Sequence, residues 1–119
     1  MKTTKTISIR WHIPGFHRWK DAPTRRGYLR ERHRHLFHIE VELGVRHDDR
    51  EVEYHDLLDW CRARLGQLGV SVGEFGDRSC EAIAETLGEM ILEKWPDRSL
   101  AVSVWEDGEC GSTVRWETR

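Results

Sequence analysis

The hydrophobic pattern changes period twice along this chain. Between residues 4 and 13, Ile7, Ile9 and Trp11 alternate with Ser8, Arg10 and His12, the period-2 signature of a half-buried strand. Pro14-Gly15 then predicts a bulge that re-aims Phe16 and His17. A second strand is predicted over 33–46, the most apolar run in the chain, and His47-Asp48-Asp49-Arg50 reads as a turn. From 54 to 68 the period shifts to steps of three and four, through Tyr54, Leu57, Leu58, Cys61, Leu65 and Leu68. The same stripe returns over 80–94 in Ile83, Leu87, Met90 and Ile91, with Ser79 as N-cap and Pro96 closing the helix. Alternation resumes at Leu100, Val102 and Val104, Asp107-Gly108 marks a turn, and Thr113 to Glu117 forms a last strand. The order β-β-α-α-β-β predicts an α+β fold: one domain spanning 1–119, with a four-stranded antiparallel sheet and two helices on one face.

The phase of the second strand points to chemistry. His33 and His35 lie on the odd-numbered face with Phe37, Ile39, Val41 and Leu43, so they extend a buried surface. Residues two apart on a strand are about 7 Å apart on one face, near enough for two imidazoles to share a metal. Without a metal or hydrogen-bond partners, two imidazoles there would carry a desolvation cost. His17 in the preceding segment is the third candidate ligand, with His12 as its competitor. Three protein ligands would leave zinc a fourth position for water or substrate.

Composition narrows the function classes. Charged residues make up 34% of 119 and the formal net charge is −2, a balance without the bulk basic excess of a nucleic-acid binder. The local exception is Arg25, Arg26, Arg30, Arg32 and Arg34, read either as a solvated loop or as a guanidinium cluster for a phosphorylated substrate. No run approaches the roughly 20 apolar residues of a membrane span, and Met1-Lys2-Thr3-Thr4-Lys5 lacks a signal-peptide core, so a cytoplasmic location is expected. Cys61, Cys80 and Cys110 are an odd number without CxxC spacing and read as reduced thiols. Among the six tryptophans, Trp11, Trp105 and Trp116 fall on strands, which suggests that the second sheet face or the edges meet another subunit.

With these residues placed, the chain resembles the family of 6-pyruvoyltetrahydropterin synthase and 6-carboxytetrahydropterin synthase, whose subunits have the tunnelling fold. His33-Arg34-His35-Leu36-Phe37 is similar to the family's His-Gly-His followed by a polar residue and an aromatic. Gly15-Phe16-His17-Arg18-Trp19 is similar to its Ala-Ala-His-Arg-Leu. Val52-Glu53-Tyr54 with Leu57-Leu58 resembles the opening of its first helix, and Ser79-Cys80-Glu81 the Thr-x-Glu that opens its second. Val104-Trp105-Glu106 looks like the strand ending in the glutamate that anchors the pterin.

The resemblance implies Zn2+ on His17, His33 and His35, and substrate contacts from Glu106, Ser79 and Glu81. It also implies a pterin or purine-like ligand and a homo-oligomer, a hexamer built as a dimer of trimers. The implied activity is that of a zinc-dependent lyase on dihydroneopterin triphosphate or a related compound. Its alternative is a zinc-containing protein that binds such a ligand without converting it. Two family features are missing: residues 18–32 hold no cysteine, and the stretch from Gly66 to Gly76 holds no Asp-His pair. A base would have to come from His38, His47, His55, Asp48, Asp49 or Cys110, and no spacing selects among them.

Overall fold

The computed structural model describes residues 1–66 and 73–118. Leu68, and the part of the Gly66–Gly76 stretch between 67 and 72, lie outside the described residues. Strands β1 (Lys5–His17) and β2 (His33–Val45) are followed by α1 (Tyr54–Leu65), β3 (Glu74–Gly76), α2 (Cys80–Lys94), β4 (Leu100–Glu106) and β5 (Cys110–Trp116). Two 3-10 turns, kinked at Arg26, span Thr24–Leu29 in the connection between β1 and β2.

The expected four-stranded, wholly antiparallel sheet in β-β-α-α-β-β order, and with it the tunnelling-fold arrangement, is corrected here. The sheet has five strands in the order β3-β1-β2-β4-β5 and is mixed, because β3 stands between the two helices and runs parallel to β1. The four long strands do pair antiparallel. What the pattern concealed is Glu74-Phe75-Gly76, too short to alternate. Local geometry explains its place. Gly73 adopts φ +83, and any side chain there would strike the Pro14 carbonyl oxygen. A Cβ on Gly15 would lie 2.8 Å from the Phe75 ring and 2.9 Å from the Phe37 ring, so glycine lets β3 close on β1.

The predicted bulge at Pro14-Gly15 is absent from the β1–β2 ladder, which runs unbroken from Lys5↔Val45 to His17↔His33. Odd-numbered residues therefore keep one face along the whole of β1. Ile9 and Trp11 are buried there with Phe37, Ile39, Val41 and Leu43 of β2 and Val102 and Val104 of β4. The helices cover that face with Leu57, Cys61 and Leu65 of α1 and Ile83, Leu87 and Ile91 of α2. Each helix begins on a side-chain cap: Glu53 accepts from the Asp56 amide at 2.8 Å and Ser79 from the Ala82 amide at 3.2 Å.

Of the three strand tryptophans, Trp11 belongs to this core and Trp116 packs against it, while Trp105 is 38% exposed. No helix among the described residues is long and apolar enough to cross a membrane.

Candidate metal centre

One end of the core face is polar. His17 closes β1, His33 and His35 open β2 directly across from it, and Glu106 ends β4 opposite Phe37. The even numbering of Glu106 matches that of buried Val102 and Val104, so its side chain shares the histidines' face. One donor atom from each of His17, His33, His35 and Glu106 lies within 4.8 Å of the others, and this group can hold a metal ion. Imidazole centroids are 4.6 Å apart for His17–His33, 4.9 Å for His33–His35 and 5.2 Å for His17–His35. His12 is not part of the cluster: it projects from the opposite face, which leaves His17 as the third histidine.

The hydrogen bonds behind the rings fix their tautomers. His17 Nδ1 donates to the Arg78 carbonyl oxygen at 3.0 Å, His33 Nδ1 to the Glu31 carbonyl oxygen at 2.9 Å, and His35 Nδ1 to Asp107 Oδ2 at 2.7 Å. All three acceptors are oxygens that can only accept, so each Nδ1 carries its hydrogen and each neutral ring presents the Nε2 lone pair forward. Facing them is another acceptor. Glu106 Oε2 sits 3.0 Å from His17 Nε2 and 2.8 Å from His35 Nε2. His35 Nε2 is buried and lacks an acceptable hydrogen-bond partner despite that short distance, because the approach is badly angled. Lone pairs and a carboxylate pointed at one small space repel unless a proton or a cation sits between them. The donor set thus fits a cation.

Asp107 is the site residue that sequence reasoning missed. Read only as half of a turn, it also accepts the Leu36 amide on Oδ1 at 2.8 Å, at a backbone φ of 56. The Leu36 amide, and after it His35, hold its carboxyl below the ordinary aspartate range. An acidic residue directly after a candidate ligand strand was the available signal.

The other expected residues stand around the cluster. Ser79 caps α2, and hydrogen bonds from Ser79 and Ser112 hold the Glu81 carboxyl low. Neither residue enters the donor group. Cys80, between them, is pushed up to about 12 by burial and then by the nearby Glu106 and Glu81 carboxylates, so burial overrides the helix-end effect that would favour a thiolate. Cys110 is exposed and pairs directly across from Glu106.

The remaining base candidates lie elsewhere. His38 is on the opposite sheet face, and His55 hydrogen-bonds Glu53 at the start of α1. Three of the run's five arginines are engaged locally. Arg32 pairs with Glu74 and stacks 3.6 Å over Phe16, Arg30 donates to the Ala22 carbonyl oxygen at 2.8 Å, and Arg26 to the Tyr28 hydroxyl at 3.0 Å.

The fold and site define a mixed-sheet α+β protein with a group of three histidines and one carboxylate at the end of its core face that could hold a metal ion. Neither a protein-family model nor a curated protein matches the chain.

Proposed function

We propose that the cluster is a zinc centre and that the protein is a pterin synthase-like lyase acting on dihydroneopterin triphosphate or a related pterin or purine compound. The observation that carries this reading is the set of three Nε2 lone pairs, each enforced by an oxygen behind its ring, converging with Glu106. Nitrogen-rich donors with one carboxylate suit zinc, and suit the hard cations magnesium and calcium poorly. When bound, zinc supplies Lewis-acid polarisation of a substrate hydroxyl or carbonyl.

The chain's own residues would divide the remaining work. The Glu106 side chain is 28% exposed, so a face stays available to accept adjacent N–H donors from a heterocycle in a charge-assisted pair. Ser79 and Glu81, at the start of α2, would add further polar contacts to the ligand. Proton transfer would fall to a group outside residues 18–32. Among the candidates, Cys110 is the one that strand register sets beside Glu106.

A specific observation favours the second reading, a zinc protein that binds the ligand without converting it. Glu106 lies close enough to the imidazoles to act as a fourth ligand, and four protein ligands close a zinc site to substrate. The resemblance also proposes a homo-oligomer, which sedimentation at micromolar concentration tests.

Metal analysis of purified wild type beside His33→Ala and His35→Ala is the first experiment. One zinc per chain, lost in both variants, is expected; equal metal content in all three proteins overturns the centre. Incubation of the zinc-loaded protein with dihydroneopterin triphosphate then separates the readings. Product formation supports the lyase, whereas saturable binding without product leaves the binding protein.

A further inference from the structure

Strands β1 and β2 carry histidines on both faces of the sheet. His17, His33 and His35 face the helices, whereas His12 and His38 project from the open face. They are direct cross-strand partners, which places their Cβ atoms about 4.5–5.5 Å apart. Their ring centroids are 5.5 Å apart with the planes tilted by 43°. That separation is close to the 5.2 Å between His17 and His35 in the converging cluster.

These rings differ from those of the cluster in one respect. Among the described residues neither His12 nor His38 has a hydrogen bond or ion pair, so all four ring nitrogens are uncommitted. They border an open cleft of about 470 Å³ that is also lined by Arg10, Glu40, Trp105 and Gly108. Glu40 Oε1 is paired with Arg10 at 3.2 Å, and the two imidazoles are the nitrogen donors of this cleft.

We propose that His12 and His38 form a second divalent-metal site, separate from the first and on the opposite face of the same strand pair. Two imidazoles select a borderline transition metal, with Cu2+ and Ni2+ favoured over Zn2+ and the oxygen-seeking Mg2+ and Ca2+ excluded. Solvent or an external ligand fills the remaining positions, so the ion is held weakly and exchanges readily. The converging cluster, with three oriented imidazoles and a carboxylate, holds its ion more tightly. Trp105, the neighbour of His38 across the β2–β4 pair and 38% exposed, is placed to report a paramagnetic ion by loss of fluorescence.

Zn2+-saturated protein titrated with Cu2+ provides the test, followed by calorimetry and tryptophan emission. One Cu2+ equivalent is expected to bind with quenching that is largely lost in Trp105→Phe. Replacing one of the two donors, in His12→Gln or His38→Gln, weakens that equivalent by roughly tenfold or more. The Trp105-dependent quenching persists in His33→Ala, which separates this equivalent from any Cu2+ taken up at the first centre. Absence of Cu2+ binding overturns the proposal, as does binding of equal strength in both Gln variants, which marks an adventitious surface ion. Because His12 is exposed, His12→Gln keeps the test valid even if His38→Gln fails to fold.

Discussion

Asp107 grips His35 from behind: its Oδ2 accepts the Nδ1 hydrogen at 2.7 Å, while its Oδ1 accepts the amide of Leu36 at 2.8 Å. One carboxylate thus fixes both the ring and the strand that presents it. A carboxylate behind a ligating imidazole selects its tautomer and raises its basicity. Asp107→Asn preserves a residue that tolerates the left-handed φ of 56 but cannot accept both hydrogen bonds with carboxylate strength. Metal affinity is expected to fall by about 10- to 100-fold with little change in thermal midpoint. Competition against a chelator of known affinity measures it, and unchanged affinity overturns the assignment.

The cysteines divide by environment. Burial pushes the Cys61 thiol up to about 12, and burial with neighbouring carboxylates does the same for Cys80, whereas Cys110 is exposed on the edge strand. Thiolate is the reactive form. At pH 8 one thiol should therefore react promptly with an aromatic disulfide reagent in the folded protein, and three after unfolding. In Cys110→Ser the prompt reaction should vanish. Prompt loss of two thiols in the native wild type would contradict the buried setting of Cys80.

How far the chain announced this arrangement depends on element length. His33 and His35 were legible because a long strand keeps phase, and Phe37 through Leu43 fixed which face was buried. Both helices were legible for the same reason, since several turns repeat the stripe. The three residues of β3 carry no period, and their place follows from contacts of Gly15 and Gly73 that join distant segments. The unbroken ladder through Pro14 was hidden too. Phe16 donates its N–H to the Gly73 carbonyl oxygen and not to β2. Pro14, two residues earlier, therefore lacks its N–H on the side away from β2, where β3 is too short to reach, and the local sequence does not reveal that side. Asp107 was concealed by having two jobs, because turn chemistry alone accounts for an Asp-Gly pair.

Gly88 stands inside α2, where replacement by alanine would ordinarily stabilise a helix by about 1 kcal/mol. Here the added methyl would run into the six-membered ring of Trp116, which packs from β5 against that turn. Overpacking of this kind costs about 1–3 kcal/mol, so Gly88→Ala is expected to be net destabilising. Trp116→Leu should relieve much of the penalty in the double variant. A double-mutant cycle from urea unfolding measures the coupling, and additive effects would refute the contact.

Arg98 is buried, and its guanidinium donates to Glu51 Oε1 at 2.9 Å and to the Gly44 carbonyl oxygen at 3.2 Å. The Glu51 carboxylate also accepts the Arg46 amide at 2.9 Å, and the Arg98 bond is the largest reason its pKa lies below the ordinary 4.5. The unfolded chain therefore takes up the Glu51 proton at a higher pH than the folded one. This contribution is complete above the unfolded value and is lost as pH falls through the lower, folded value. Glu51→Gln should consequently lose stability at pH 7 and show a shallower decline between pH 5 and 3 than wild type. Arg98→Met leaves the carboxylate and the Gly44 carbonyl without their shared donor, at a cost of about 3 kcal/mol at neutral pH. Urea midpoints at pH 7 and pH 3.5 test both variants. A Glu51→Gln acid limb parallel to that of wild type would show that the pair does not couple folding to protonation.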